Sequence, residues 1–535
     1  MKISKLEITN FRSIKHLVIE PEGLCALVGP NSVGKTNVLK AIDLVIGEGW
    51  TTKAKIAREL FNDVTQPIKI SIDFDMPVEF QGIDRFGTSH PQSVSNVTLT
   101  MEMEPELDVK TSFNGTSAWY QDEFKKHCHF VYIPASRDLS DQMRVSNWTL
   151  LGKMMKLIYE NYIHEYGDEN LLKQEFSSLM EEPKNFLEAD FNADPKVVTY
   201  KNFVDTFKTY CSTNSAGLAN DFQPQLNIYN LNWFYKTLQI HIKEDGCDKT
   251  FDAEEVGAGM QNLLLISIFQ TYAKLMGGKV IFGIEEPEIF LYPQAQRSLY
   301  KSFQELSINT QIFYTTHCQN FVDAYRAYEI ELLRKTPIEG TINTNKNLSF
   351  LTPENAESEK FKIYTQFNTA RNEIFFAKKV ILVEGDSDKI LLSTIVEKKF
   401  GVDLDSDGIS IISCNGKGGV NYFVGVCSLL GMSNYFSVWD SDDEDYRPSR
   451  NNLPAAIAAG TGIEIPGNIE SYLKITGSTS DKVENAYNWA ILVEPENIPD
   501  LIWEVGKFVG LTDEKISELR KLEIPAATAT SALPF

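Results

Sequence analysis

The chain is 535 residues long, more than one hydrophobic core can hold, and points to roughly three or four domains. With 43% hydrophobic and 11% aromatic residues it can bury substantial cores, and the absence of an apolar run of about 18 residues excludes a membrane-spanning helix. A formal net charge of −22 excludes a protein that holds phosphate backbones by overall charge, so any nucleic-acid contact needs a local basic groove or bridging metal ions.

The N-terminus, Met1-Lys2-Ile3-Ser4-Lys5-Leu6-Glu7-Ile8, alternates polar and apolar residues as a strand does and lacks the apolar stretch of a signal peptide, so a cytoplasmic protein is expected. Seven cysteines, at 25, 128, 211, 247, 318, 414 and 427, form no C-x-x-C pair, which argues against a zinc ribbon or a disulfide framework. Strands are expected at Ile3–Ile8, Leu17–Ile19, Leu24–Val28, Ile68–Phe74 and Val97–Met103, with a helix over Thr36–Ile46. Longer helical runs follow, including Leu151–Tyr166 and Glu169–Met180, and read as an inserted helical subdomain over 150–248. Alternation of strand and helix resumes with Leu263–Leu275, Val280–Ile284, Ala295–Leu306 and Gln311–Thr315. Residues Lys335–Glu359, rich in Thr, Asn, Glu and Pro, have the composition of a linker. Beyond them Lys379–Val383, Ile409–Cys414 and Phe436–Trp439 are short apolar strands separated by helical stretches, as in a compact parallel sheet.

Gly29-Pro30-Asn31-Ser32-Val33-Gly34-Lys35-Thr36 satisfies G-x-x-x-x-G-K-[ST] between an apolar strand and a helix, the context this phosphate loop requires. Loop amides and the helix N-terminus can surround the β-phosphate of ATP, Lys35 can neutralise the β- and γ-phosphates, and Thr36 can ligate Mg²⁺. Val280-Ile-Phe-Gly-Ile-Glu285-Glu286-Pro287-Glu288 is a buried strand ending in acid. Glu285 can hold the Mg²⁺ shell there, and Glu286 can orient or deprotonate the attacking water. Gly257 and Gly259 open a further helix that can face a γ-phosphate, and His317, after Tyr314-Thr315-Thr316, can sense it.

A second centre lies far downstream. Glu384 ends one strand, Gly385 permits close backbone approach, and Asp388 falls in the first turn of the next helix. Asp440 and Asp442 end another strand two residues apart, hence on one face if extended. Four hard carboxylates at neighbouring strand ends can bind one or two Mg²⁺ or Mn²⁺ ions, and two such ions suit phosphodiester cleavage. Asn415-Gly416-Lys417-Gly418-Gly419 lies between them and can approach a phosphate, whereas His127-Cys128-His129 reads as structural, its neighbours alternating faces in a strand.

With Asn10-Phe11-Arg12 near the start, the first set resembles the ABC-type ATPase heads of the Rad50, SMC and RecF group. That resemblance implies dimerisation, with the signature segment of one head closing over ATP in the other, and places Arg12 at the nucleotide. The chain departs from the group in carrying Gly257 at the signature serine and Glu285 at the usual aspartate, and its insert is too short for a long coiled coil. Arg137-Asp138 is similar to a segment that lines the nucleotide site in relatives. The second set resembles a Toprim domain, and by analogy a catalytic lysine is expected among Lys474, Lys482 and Lys507.

The fusion resembles the OLD (overcoming lysogenization defect) family of nucleases. It implies an α/β protein, an ABC-type P-loop head with a helical insert followed by a Toprim α/β domain. The expected boundaries are 1–149 and 249–340 for the head, 150–248 for a dimerising insert, 341–370 for a linker region and 371–535 for the Toprim domain with its extension. The implied activity is ATP-regulated, metal-dependent DNA cleavage by a dimer or larger homo-oligomer, in phage defence, beside a partner such as a helicase or a reverse transcriptase with its DNA product. The alternative is a non-cleaving RecF-like ATPase whose Toprim domain is a binding scaffold. A topoisomerase or primase, both of which use Toprim, lacks support, since the zinc-ribbon cysteines of a primase are missing and the ABC-type elements do not match a type II topoisomerase ATPase.

Overall fold

The computed structural model describes residues 1–521 apart from 48, 84–87, 105, 118–120, 136–144, 147–148, 188–199, 215–230, 232–234, 244–247, 277, 323, 345–368, 442–450 and 477–480. Asp442, Arg137, Asp138 and much of the expected linker and insert therefore lie outside the described residues. Two compact units emerge, one of Met1–Ala135, Gly277–Glu288 and Tyr292–Phe535, the other of Ser136–Met276 and Ile289–Leu291.

In the first unit the strands in chain order are β1 (Ile3–Phe11), β2 (Ile14–Ile19), β3 (Leu24–Val28), β4 (Ile68–Ile83), β5 (Ser89–Glu102), β6 (Asp108–Phe113), β7 (Thr116–Ser117) and β8 (His129–Ile133). The second unit contributes a separate hairpin of β9 (His241–Lys243) and β10 (Thr250–Asp252). The first unit continues with β11 (Val280–Glu285), β12 (Ile312–Thr315), β13 (Ile330–Thr336) and β14 (Gly340–Asn343). Among the described residues these strands, the small hairpin aside, form one sheet of 12 in the order β7-β6-β5-β4-β1-β2-β14-β13-β3-β12-β11-β8.

In that sheet four strand pairings are parallel and seven antiparallel, and sequence pattern explains the division. β3, β11 and β12 are buried at every position, as parallel strands covered on both faces must be, and β13, β3, β12, β11 and β8 run parallel. β4 alternates buried and exposed residues like a sheet with one wet face, and pairs antiparallel with β1 and β5. Both β4 and β5 are much longer than expected, because the hairpin continues past an irregularity between Asp73 and Val78 where register shifts. The segment expected to begin a linker at Lys335 instead ends β13 and forms β14, whose Thr341 is fully buried. His127 closes the helix Gln121–His127 and His129 begins β8, so these two do not share a strand.

The C-terminal region of the same unit holds a parallel sheet in the order β16 (Ile409–Ser413), β15 (Lys379–Val383), β17 (Tyr435–Asp440), β18 (Gly462–Ile465). Its core joins Ile381, Val383, Leu391, Ile395 and Phe436 to Trp503, whose ring centroid lies 4.7 Å from that of Phe400. β18 and the helices Lys482–Leu492 and Asp500–Val509 were not expected from sequence; the last buries Ile502, Trp503, Val505 and Val509 along one face.

The second unit is helical where described, with Leu150–Tyr166, Glu169–Leu179, Glu181–Leu187 and Tyr200–Asn214. Thr149 and Asp168 cap the first two by accepting backbone N–H bonds at their N-termini. The helix Ala258–Met276 packs within this unit, against Leu150–Tyr166, so the compact body extends beyond the 150–248 expected for the insert. Among the described residues no helix is long and apolar enough to cross a membrane.

Candidate functional site

Parallel pairing aligns the C-terminal ends of three adjacent strands. Leu27 of β3 pairs with Thr315 of β12, and Thr315 pairs with Glu285 of β11. The phosphate loop, the acidic string and the His317 turn therefore open into one crevice, where ligands bind open α/β sheets.

Local backbone demands explain the loop sequence. Gly29 has φ 144, and a Cβ there would lie 2.3 Å from the Leu333 carbonyl oxygen of β13. Gly34, at φ 107, precedes the helix Lys35–Ile46, and its Cβ would meet the hydroxyl oxygens of Thr341 at 2.6 Å and Ser13 at 2.9 Å. Thr341 also donates to the Val33 carbonyl at 2.7 Å, so β14 braces the loop from behind. Asn31 is exposed and Thr36 half-buried.

Lys35 is buried and donates from Nζ to the carbonyls of Gly29 and Pro30, each at 2.9 Å. Burial lowers its pKa to about 8, partly offset by the charges of Glu286 and Glu288. Such an ammonium gains from a phosphate partner.

Glu285 accepts a hydrogen bond from the Ala135 N–H at 2.9 Å and faces Tyr132, whose pKa burial and this carboxylate both push upward. Glu286 follows with φ 43, a conformation costly for a residue with a Cβ, and its N–H donates to the Thr315 carbonyl at 3.0 Å. Arg12 also has a positive φ, of 51, stacks over Phe11 at 5.7 Å, and its buried Nε meets no acceptor among the described residues. Its charge reaches Tyr132, on the Glu285 side of the crevice.

Glu288 was not assigned a role from sequence, yet it organises the β12 end. Its Oε1 accepts from the Thr316 hydroxyl at 2.6 Å, the His317 N–H at 3.0 Å and the Cys318 N–H at 3.2 Å. Burial raises its pKa against these bonds. Only its place in the acidic string hinted at this. Partial burial, then the Lys35 charge, lowers the His317 pKa to about 4, so the ring is neutral at pH 7. Gly257 and Gly259 belong to the other unit, at the start of the helix Ala258–Met276, and a Cβ on Gly257 would meet open space.

The acidic centre is also built from adjacent strand ends. Glu384 follows β15, and its Oε1 accepts the Asp440 N–H at the end of β17 at 2.7 Å. Its own carbonyl accepts from Gly416 N–H at 2.8 Å, bringing in the loop after β16, where Asn415 and Gly416 have φ 60 and 93. Asp388 is 7% exposed and accepts the Gly385 N–H at 2.8 Å. Burial raises its pKa to about 6, aided by Glu470 and opposed by the Gly385 N–H and by Lys482.

Of the three lysines considered, Lys482 acts on Asp388 and pairs with Glu470 at 3.5 Å, whereas Lys507 pairs with Glu504 at 2.8 Å and Lys474 is exposed. Lys417 reaches Glu464 at 3.4 Å, and Glu464 also accepts from Trp439 Nε1 at 3.1 Å. Among the described residues no three His, Cys, Asp or Glu side chains converge into a metal-binding group by themselves. Glu384, Asp388 and Asp440 are nonetheless hard oxygen donors on neighbouring elements, the chemistry that Mg²⁺ and Mn²⁺ select.

The sequence matches the AAA ATPase domain family over residues 1–108 and 94–322, and the TOPRIM domain of overcoming lysogenization defect protein-like chains over residues 375–442. The OLD nuclease of Thermus scotoductus is 27% identical over 455 residues, 82% of this chain and 82% of that one. The Old nuclease of Escherichia phage P2 is 23% identical, over 81% of this chain and 76% of its own length. The endonuclease GajA of Bacillus cereus is 22% identical, over 74% of this chain and 68% of its own.

Proposed function

Because this chain belongs to the OLD family, an AAA ATPase domain joined to an OLD-like TOPRIM domain, we propose that it is a metal-dependent DNA endonuclease whose cutting is governed by ATP. The observation that carries the reading is the 2.7 Å bond from the Asp440 N–H to Glu384, which locks two acidic strand ends together beside Asp388. Glu384, Asp388 and Asp440, with Asp442 from outside the described residues, would hold Mg²⁺ or Mn²⁺. Such ions, when bound, supply a nucleophilic hydroxide at neutral pH and stabilise the leaving oxygen. They also reconcile a chain of net charge −22 with a phosphate backbone.

In the ATPase crevice Lys35 would face the β- and γ-phosphates of a bound ATP, Thr36 and Glu285 would hold Mg²⁺, Glu286 would orient or deprotonate the attacking water, and neutral His317 would sense the γ-phosphate. Gly257 and Gly259 complete the site of a partner head, so the active form is a homodimer or larger assembly. Named relatives that are nucleases support this activity, and phage defence is the setting proposed for it.

The test is cleavage of supercoiled plasmid with Mg²⁺ or Mn²⁺, with and without ATP, by wild type and Asp440→Ala. Nicking or linearisation that disappears in the variant is expected. Undiminished cutting by Asp440→Ala, or by Glu384→Ala, would refute the assignment.

A further inference from the structure

Two polar side chains that neither centre uses are buried in the short helical segment Thr369–Phe375, just before β15: Arg371 is 6% exposed and Asn372 8%. Each faces a different centre. Asn372 Nδ2 donates to the carbonyls of Gln319 at 2.9 Å and Val322 at 3.3 Å, within the turn that begins at His317. Arg371 Nε donates to the Ser413 carbonyl at 2.9 Å, at the end of β16. From there Cys414 N–H bonds the Val383 carbonyl at 2.8 Å, Gly416 N–H bonds the Glu384 carbonyl at 2.8 Å, and Glu384 holds Asp440.

Further contacts bind the same segment to the ATPase sheet. The His317 and Phe376 rings lie 6.4 Å apart, Gln319 Nε2 reaches Glu373 at 3.5 Å, and Arg334 of β13 donates to the Ala377 carbonyl at 3.3 Å. The seat is not fully satisfied: Asn372 Oδ1 is shielded from solvent and meets no donor among the described residues. A buried amide oxygen without a donor costs free energy, so this contact is a weak point of the seat.

We propose that the segment Thr369–Phe375 is the coupling element between the two centres, with Asn372 reading the His317 turn and Arg371 setting the β16 end beside Glu384. The inference rests on the nucleotide reading of the crevice and adds how occupancy reaches the acidic centre. Glu288 is part of the input, because one carboxylate oxygen fixes Thr316, His317 and Cys318 together. Any shift of His317 toward a γ-phosphate therefore moves the turn to which Asn372 is bound. Coupling of this kind needs a discrete element that both sites bias, and a short segment with one hydrogen-bonding side chain to each side meets that need.

Hydrogen–deuterium exchange of the full chain with and without AMP-PNP tests it independently of cleavage. In wild type the nucleotide is expected to slow exchange across the phosphate loop and to change it by about threefold or more across Ile409–Lys417. Asn372→Leu is expected to keep the first effect and lose the second, and Asn372→Ser serves if the leucine variant does not fold. A response at Ile409–Lys417 that survives in a folded Asn372 variant, or is absent from nucleotide-bound wild type, overturns the coupling role. Absence of protection at the phosphate loop itself would instead sink the nucleotide reading and the coupling with it.

Discussion

Asp388→Asn is expected to make the metal-free protein more stable while removing cleavage. The Asp388 carboxyl is nearly inaccessible, and its pKa stands at about 6 against an ordinary 3.8, chiefly through burial and secondarily through Glu470, against the Gly385 N–H and Lys482. The folded state thus binds this proton more tightly than the unfolded state does. Stability contributed by the protonated form is present below pH 4 and is lost as pH rises through about 6, so the full penalty is felt at pH 8. A rise from 3.8 to about 6 corresponds to about 3 kcal/mol. Asparagine removes the charge and keeps an oxygen for the Gly385 N–H, now bonded at 2.8 Å. In EDTA at pH 8 the variant should therefore melt on the order of 5 °C higher, and the gain should shrink toward zero near pH 4. Mg²⁺ should narrow the gap at pH 8 by stabilising wild type selectively. An Asn variant no more stable than wild type at pH 8, or equally advantaged at both pH values, would refute the reasoning. Such a result would mean that the site relaxes or hydrates enough to accommodate the charge.

Glu286→Gln should slow phosphate release from ATP by roughly 10²-fold or more while nucleotide affinity, followed with a fluorescent analogue, changes little. Nucleotide affinity of wild type should be flat below about pH 8 and weaken above it by up to about tenfold per pH unit, because free Lys35 then sheds the proton that phosphate requires. A calorimetric titration at pH 7, 8 and 9 checks that sign. Gly34→Ala should destabilise the head by about 1–3 kcal/mol in urea unfolding and weaken nucleotide binding, since its φ of 107 and the 2.6 Å approach to Thr341 leave no room for a methyl group.

The sequence by itself determined what depends on neighbours in the chain. β3, the phosphate loop and the helix after it are contiguous, so an apolar run, a glycine pattern and a helical period were enough to find them. Glu384 and Asp440 were legible for the same reason, each ending a short apolar strand. The extension of β4 and β5 was not, because alternation across a register shift is weak, and the hairpin carries many exposed positions. The partition of a mixed sheet into parallel and antiparallel parts likewise depends on pairings between distant segments, as when β8 joins β11 and β14 joins β2.

Only the tertiary structure decided which polar groups meet. Glu288 finds the His317 N–H across 29 residues of sequence, and Glu384 finds the Asp440 N–H across 56. Asn372 and Arg371 carry no motif, and their burial and their bonds to the Gln319 and Ser413 carbonyls follow from packing alone. A hydrogen bond is worth most where water is excluded, and exclusion of water is a property of packing that local sequence does not encode.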